Sequence, residues 1–258
     1  MERLVGKHAV VTGGGQGIGA AIAERFASEG ANVTIAELND EIGTATAKRL
    51  CQSMGPRIRH IGTDIADPDS IASMHEQAVA AFGTVDVLVN NAGINVFREP
   101  LESTQADWQL CMSIDLEGAW QCCRQVLPDM LRQEKGAIVN IASNHAFSIM
   151  KSTFPYPVAK HALLGLTRSL ALEYADRGIA VNAISPGYVD TPIVDNYLAG
   201  MDDPVAARAQ VEASQPVGRL CQPSEVAAVA TLLASDEARF IIGENIVIDG
   251  GVAIRMYQ

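Results

Sequence analysis

Tyr156 and Lys160 stand four residues apart in the run Phe154-Pro155-Tyr156-Pro157-Val158-Ala159-Lys160. On a helix that spacing puts the two side chains on one face, one turn apart. A free phenol, with a pKa near ~10, is a poor base at neutral pH. An ammonium group one turn away favours the phenolate, and bringing the phenol to neutrality takes roughly 4 kcal/mol of differential interaction. Ser143 lies 13 residues before the tyrosine. Its hydroxyl can hydrogen-bond an alkoxide or carbonyl oxygen held beside the phenol. The three residues predict proton exchange with an alcohol or carbonyl oxygen.

A second set, near the N-terminus, has the chemistry of a phosphate cradle. Thr12-Gly13-Gly14-Gly15-Gln16-Gly17-Ile18-Gly19 follows an apolar run and opens an amphipathic one. Glycines let the backbone turn sharply and approach a pyrophosphate, while a helix N-terminus supplies N–H groups and positive potential. Any tight strand-to-helix turn uses glycines, so the acid that follows carries the weight. Glu37 comes 18 residues after Gly19, near the ~20 expected of an acid that binds the adenosine ribose of a dinucleotide. Its carboxylate accepts from a 2′-OH and repels a 2′-phosphate. Leu38, Asn39 and Gln16 offer a phosphate no positive charge. These residues predict NAD in preference to NADP.

Thr12 to Gly19 in the form TGxxxGxG, Asn90-Asn91-Ala92-Gly93, Ser143, Tyr156-x-x-x-Lys160 and Pro186-Gly187 occur in one order and register. In these motifs the chain resembles the short-chain dehydrogenase/reductase family over nearly its whole length. The resemblance implies hydride transfer between NAD and a secondary alcohol, ketone or hemiacetal, with Tyr156 as base in oxidation and acid in reduction. It implies that Gly13, Gly15, Gln16, Gly17, Ile18 and Gly19 cradle the pyrophosphate, and that Asp64 and Ile65 flank the adenine. Asn91 and Gly93 would contact the adenosine side, and Lys160 the nicotinamide ribose. Pro186, Gly187, Val189 and Thr191 would meet the nicotinamide carboxamide. A homotetramer is expected on the same ground.

One position departs from the family's pattern. Many members carry an asparagine in the long helix before the strand that bears the serine, holding a water in a proton relay to the lysine. The matching residue here is Asp115. A carboxylate can accept from that water but cannot donate when ionised, so Asp115 is expected to serve the relay and to pair with Lys160. Asn95, Asn144, His145, Phe154 and Tyr188 are the expected substrate contacts, with Asp190 and Asn196 on the rim. This polar set suits a sugar, sugar acid or polyol. The stretches Met201-Asp202-Asp203-Pro204, 215–219 and Gln222-Pro223 resemble members acting on sugars such as L-fucose or on sugar acids. Steroid-like and 3-oxoacyl substrates are the alternatives, and a non-catalytic NAD sensor is the alternative of another class.

Something must hold these residues together, and the apolar patterning supplies it. Runs at 8–12, 32–37, 58–64, 85–90, 137–143, 180–185 and 245–249 are Val- and Ile-rich and read as strands covered on both faces. Amphipathic segments at 17–29, 40–54, 68–82, 105–134, 157–176 and 224–234 separate them, and Asp67 before Pro68 marks one helix start. The alternation predicts an α/β fold, a doubly wound Rossmann-type parallel sheet of about seven strands with helices on both faces. Residues 1–258 are expected to form one domain, with 187–223 a long irregular substrate-side lid.

Lys and Arg number 19 against 30 Asp and Glu, a formal charge of −11. So acidic a surface repels phosphate backbones and anionic membranes, which argues against nucleic-acid or membrane partners and leaves a small-molecule substrate. Five cysteines without C-x-x-C spacing argue for a reducing, cytoplasmic setting and against a disulfide framework or zinc site. The remaining histidines show no metal-ligand spacing.

Overall fold

The computed structural model describes residues 2–256. Seven strands form one parallel sheet: β1 (His8–Thr12), β2 (Asn32–Glu37), β3 (Ile58–Gly62), β4 (Val87–Asn90), β6 (Gly136–Ile141), β8 (Ile179–Pro186) and β9 (Asn245–Ile248), in the spatial order β3-β2-β1-β4-β6-β8-β9. Two short strands outside it, β5 (Phe97–Arg98) and β7 (Phe154–Pro155), pair antiparallel. This is the doubly wound Rossmann-type α/β architecture that the alternating pattern predicts.

Both faces of the sheet are buried because successive residues point to opposite sides. Ala9 and Val11 of β1 pack with Ile22 and Phe26 of α1 (Gly17–Ser28) and with Val226 and Ala230 of α9 (Pro223–Ala234). Val10, between them, faces the other way, into Ile71 and Met74 of α3 (Pro68–Phe82) and Val126 and Met130 of α5 (Gly118–Gln133). Each fully buried Val, Ile, Phe or Met among these contributes roughly 1.5–3 kcal/mol relative to exposure. α2 (Asp40–Met54) covers β2 and β3 with Ala47 and Leu50, and α6 (Tyr156–Tyr174) covers β6 and β8 on the opposite face with Leu163 and Ala171.

The expected helix at 105–134 is interrupted. α4 (Gln105–Met112) begins on a reciprocal capping box of Thr104 and Asp107, and a π-helical turn, Ser113–Glu117, joins it to α5. The extra residue in that turn rotates Asp115 inward, where it is 1 % exposed. Cys122 and Cys123 are core residues of α5.

The segment 187–223 is not irregular. It contains α7 (Pro192–Ala199) and α8 (Pro204–Ser214), each with proline in its first turn. Asp203 caps α8 by accepting from Val205 N and Ala206 N. This is the same Asp-Pro signal that marks Asp67-Pro68, but no residue of α8 is buried and so no apolar stripe announced the helix. Arg208 ties α8 to the chain before it through Asp190 (2.7 Å) and Asp195 (2.9 Å), and pairs within the helix with Glu212 (3.1 Å). No helix among the described residues is long and apolar enough to cross a membrane.

Candidate active site

The strand order reverses between β1 and β4, and their carboxyl ends open a crevice there, the general ligand position in sheets of this kind. A cleft of about 520 Å³ runs from it across the ends of β6 and β8. Thr12 and Asn91 lash the glycine turn to the far side of the crevice. The Thr12 hydroxyl accepts from Asn91 N (3.0 Å) and Ala92 N (3.1 Å), and Asn91 Nδ2 donates to the carbonyls of Thr12 (2.9 Å) and Gly13 (3.0 Å).

Gly13, Gln16, Gly17 and Ile18 line this end of the cleft, while Gly15 and Gly19 stand behind it. Gly19 is required by crowding, since a Cβ there would meet the Gly13 carbonyl at 2.2 Å. Gly15 makes room for the acid: a Cβ would lie 2.8 Å from Glu37 Oε2, and Gly15 N donates to that oxygen (3.1 Å). Asn39 N holds the other carboxylate oxygen (3.2 Å), so the carboxylate sits fixed at the cleft wall. At the α1 N-terminus Gln16 makes no side-chain cap, which leaves the first helical N–H groups facing the cleft for an anion. A dinucleotide fits these features. Asp64, Ile65, Asn91, Gly93, Pro186, Gly187, Val189 and Thr191 line the same cleft.

Tyr156 is the first residue of α6 and Lys160 lies one turn on, its Nζ 5.4 Å from the centre of the phenol ring. Lys160 Nζ also donates to Ile141 O (3.3 Å) and meets Asp115 Oδ1 at 3.1 Å. Asp115 in turn accepts from Ile94 N (3.3 Å). Gly93 lets this pair form, because a Cβ there would stand 2.7 Å from Asp115 Oδ1 and 3.4 Å from Lys160 Nζ. Ser143 leaves β6 and caps a short turn, Asn144–Ala146, accepting from His145 N (3.1 Å).

The charges differ from the simple expectation for a phenol beside an ammonium. Burial pushes the Tyr156 phenol up; Lys160 pulls it down, Asp115 pushes it up again, and the Ser143 hydroxyl favours the phenolate. The balance from the chain's own groups is a phenol above its ordinary value, because burial, with Asp115 adding to it, outweighs the pull of the lysine. Burial draws Lys160 down, but Asp115 and Tyr156 outweigh it and hold its ammonium above the ordinary range. Burial lifts the Asp115 carboxyl above its own ordinary value, against the pull of Lys160.

Around Tyr156 the cleft is lined by Asn95, Asn144, His145 and Tyr188, four of the expected substrate contacts. Three expected contacts lie elsewhere. Phe154 turns away within β7 and packs its ring 5.7 Å from that of Trp108. Asp190 is held by Arg208 (2.7 Å) and Gln222 (3.4 Å), and Asn196 is exposed outside the cleft wall. In their place stand Phe97, Met150, Tyr197, Gln215 and Arg255. Gln215 opens the 215–219 stretch, and the other four lie in no segment that the sequence singles out. Phe97 reaches Tyr156 and His145 through aromatic contacts of 5.5 and 6.0 Å. Burial lowers the His145 pKa, so the ring is neutral at neutral pH, and its Nδ1 is buried without a partner among the described residues.

A nucleotide-binding crevice with a tyrosine, lysine and serine at its end defines an α/β oxidoreductase. A family model described as enoyl-(acyl carrier protein) reductase matches residues 13–253. The chain is 41 % identical to cis-4-hydroxycyclohexanecarboxylate dehydrogenase of Sinomonas cyclohexanicum, over 97 % of this chain and 98 % of that one. Among solved structures, levodione reductase superposes with a TM-score of 0.94 at 32 % identity, covering 98 % of this chain and all of the other. A Beutenbergia cavernae protein, provisionally named an NAD(P)-dependent gluconate 5-dehydrogenase and holding NADP at low occupancy, gives 0.90 at 36 % identity, with 98 % of each chain covered. The chain belongs to the short-chain dehydrogenase/reductase family, whose members act on alcohols with NAD(P).

Proposed function

We propose that this protein oxidises a secondary alcohol on a small polar or cyclic hydroxy compound, a sugar, sugar acid, polyol or cyclohexanol derivative, with NAD+, and reduces the matching ketone in reverse. The observation that carries this reading is Tyr156 at the head of α6, with Lys160 beneath it and Ser143 beside it, all facing one cleft. In oxidation Tyr156 takes the hydroxyl proton of the carbinol as the carbon–oxygen double bond forms. Ser143 hydrogen-bonds that oxygen throughout. Lys160 favours the phenolate and holds the nicotinamide ribose. When bound, NAD+ supplies the acceptor for the carbinol hydrogen with its electron pair, and a positive ring that favours the phenolate.

NAD+ is favoured over NADP+ by Glu37, whose carboxylate faces the place of the ribose and would meet a 2′-phosphate with like charge. Gly13, Gly15, Gln16, Gly17, Ile18 and Gly19 form the phosphate cradle, and Asp64, Ile65, Asn91 and Gly93 the adenosine wall. Pro186, Gly187, Val189 and Thr191 face the carboxamide. The substrate range is supported by relatives named for a hydroxycyclohexane acid, levodione and gluconate. Residues 1–258 act as one unit, with 187–223 as the substrate-side wall. A cytoplasmic homotetramer is proposed on family grounds; exposed Leu110, Trp120 and Leu172 on α4, α5 and α6 are apolar surface for its contacts.

The test is NAD+ reduction over a panel containing L-fucose, gluconate, sorbitol and cis-4-hydroxycyclohexanecarboxylate, with Tyr156→Phe as control. Loss of a general acid–base group lowers kcat about 10²- to 10⁴-fold. Activity that survives this substitution contradicts the assignment.

A further inference from the structure

The substrate end of the cleft is almost without net charge. Asp115 and Lys160 face each other at 3.1 Å, His145 is kept neutral by burial, and Glu37 lines the opposite, adenosine end. Among the described residues lining the cleft, Arg255 is the cation that no acid engages.

Its position is built by the fold. The carboxylate of Asp249, itself 8 % exposed, accepts from Gly251 N (2.9 Å) and Ala253 N (2.8 Å) just past β9. This hook turns the chain back so that Val252 and Arg255 join the cleft wall beside Gln215. The Arg255 guanidinium donates from Nη1 to Ser214 O at 3.2 Å, at the end of α8, its one hydrogen bond among the described residues. A guanidinium carries five N–H donors in a planar fork, so most of its donor capacity remains for a ligand. The chain has 30 acids against 19 lysines and arginines, and an anion approaching it meets repulsion. A local cation at the cleft is what such a ligand needs, and a guanidinium matches a carboxylate in plane and spacing.

We infer that Arg255 anchors a carboxylate of the substrate. The preferred substrates are then hydroxy acids, with the reacting carbinol at Tyr156 and the carboxylate at the C-terminal wall. This rests on the oxidoreductase reading above and narrows it to an anionic class.

The experiment uses the full chain with NAD+ and two matched pairs of probes: cis-4-hydroxycyclohexanecarboxylate with its methyl ester, and gluconate with sorbitol. The wild type is expected to favour the acid in at least one pair. Arg255→Gln should lower the acid-to-neutral ratio of kcat/KM about 10- to 100-fold, the range of a charge-assisted contact, and Arg255→Lys should restore part of it. A ratio that does not move in Arg255→Gln, or a wild type that prefers the neutral member of both pairs, overturns the inference while leaving the Tyr156 chemistry standing. If no compound is turned over in a Tyr156-dependent way, the oxidoreductase reading fails separately. Calorimetric binding of the two acids in the presence of NAD+ then decides Arg255: about tenfold or greater weakening in Arg255→Gln supports it, and equal affinity or no binding to the wild type rejects it.

Discussion

Lys160 Nζ lies 3.1 Å from Asp115 Oδ1 with both side chains almost wholly buried. The ammonium that would acidify Tyr156 is therefore partly spent on a carboxylate. An asparagine in the same place would keep the hydrogen bonds to Lys160 and Ile94 N without the negative charge.

Asp115→Asn is accordingly expected to lower the Tyr156 pKa. The acid limb of the kcat/KM profile should move to lower pH, with more activity near neutrality. An unchanged profile would remove Asp115 from any part in proton transfer. Asp115→Ala strands the lysine instead, and breaking a buried pair in this way costs about 3–5 kcal/mol; thermal unfolding should show a large drop in Tm.

Cofactor choice should follow Glu37. The wild type is expected to prefer NAD+ over NADP+ in kcat/KM, and Glu37→Ser should reduce that preference about tenfold or more, since a close like charge is removed. Titration of both coenzymes at fixed ionic strength reads the effect. Equal wild-type affinities would dismiss the role given to this carboxylate.

His145 packs edge-to-face with Tyr156 and at a tilt against Phe97, while Nδ1 lacks a partner among the described residues. An unsatisfied buried polar group costs about 1–3 kcal/mol. His145→Phe keeps the aromatic packing and should raise Tm by a few degrees, while KM for a hydroxylated substrate rises. A gain in stability with unaltered KM would make the histidine a packing residue.

Acid sensitivity has a named contributor in Glu225. The Arg219 guanidinium, together with Gln222 N, holds its carboxyl down from 4.5 to about 2. Between those values the unfolded chain binds the proton and the folded chain does not, so stability rises with pH across that window and is lost as pH falls through it. Glu225→Gln should flatten the denaturation midpoint between roughly pH 4.5 and 2. The group is well exposed, so the effect is modest.

Much of this could be read along the chain. The seven strands follow from continuous Val and Ile runs, and Tyr156, Lys160 and the glycine turn from spacing, because neighbours within one turn or one strand are set by local geometry. Thr191-Pro192 and Asp203-Pro204 stand at the starts of α7 and α8, but with only Leu198 buried in α7 and no residue buried in α8 the stripe that makes a helix legible is missing. Phe154 illustrates the limit: its type suits a pocket, yet the β5–β7 pairing turns its ring onto Trp108.

Residue order specified the individual strands, the glycine turn and the chemical pair, since each depends on geometry within about one turn or one strand. Tertiary packing decided the rest. The π-helical turn aims Asp115 at a lysine on another helix, Gly93 makes room for the pair, and the Asp249 hook brings Arg255 to the cleft. These meetings join residues far apart in the chain, and only the packing of helices on the sheet and the backbone hydrogen bonds of the loops bring them within reach.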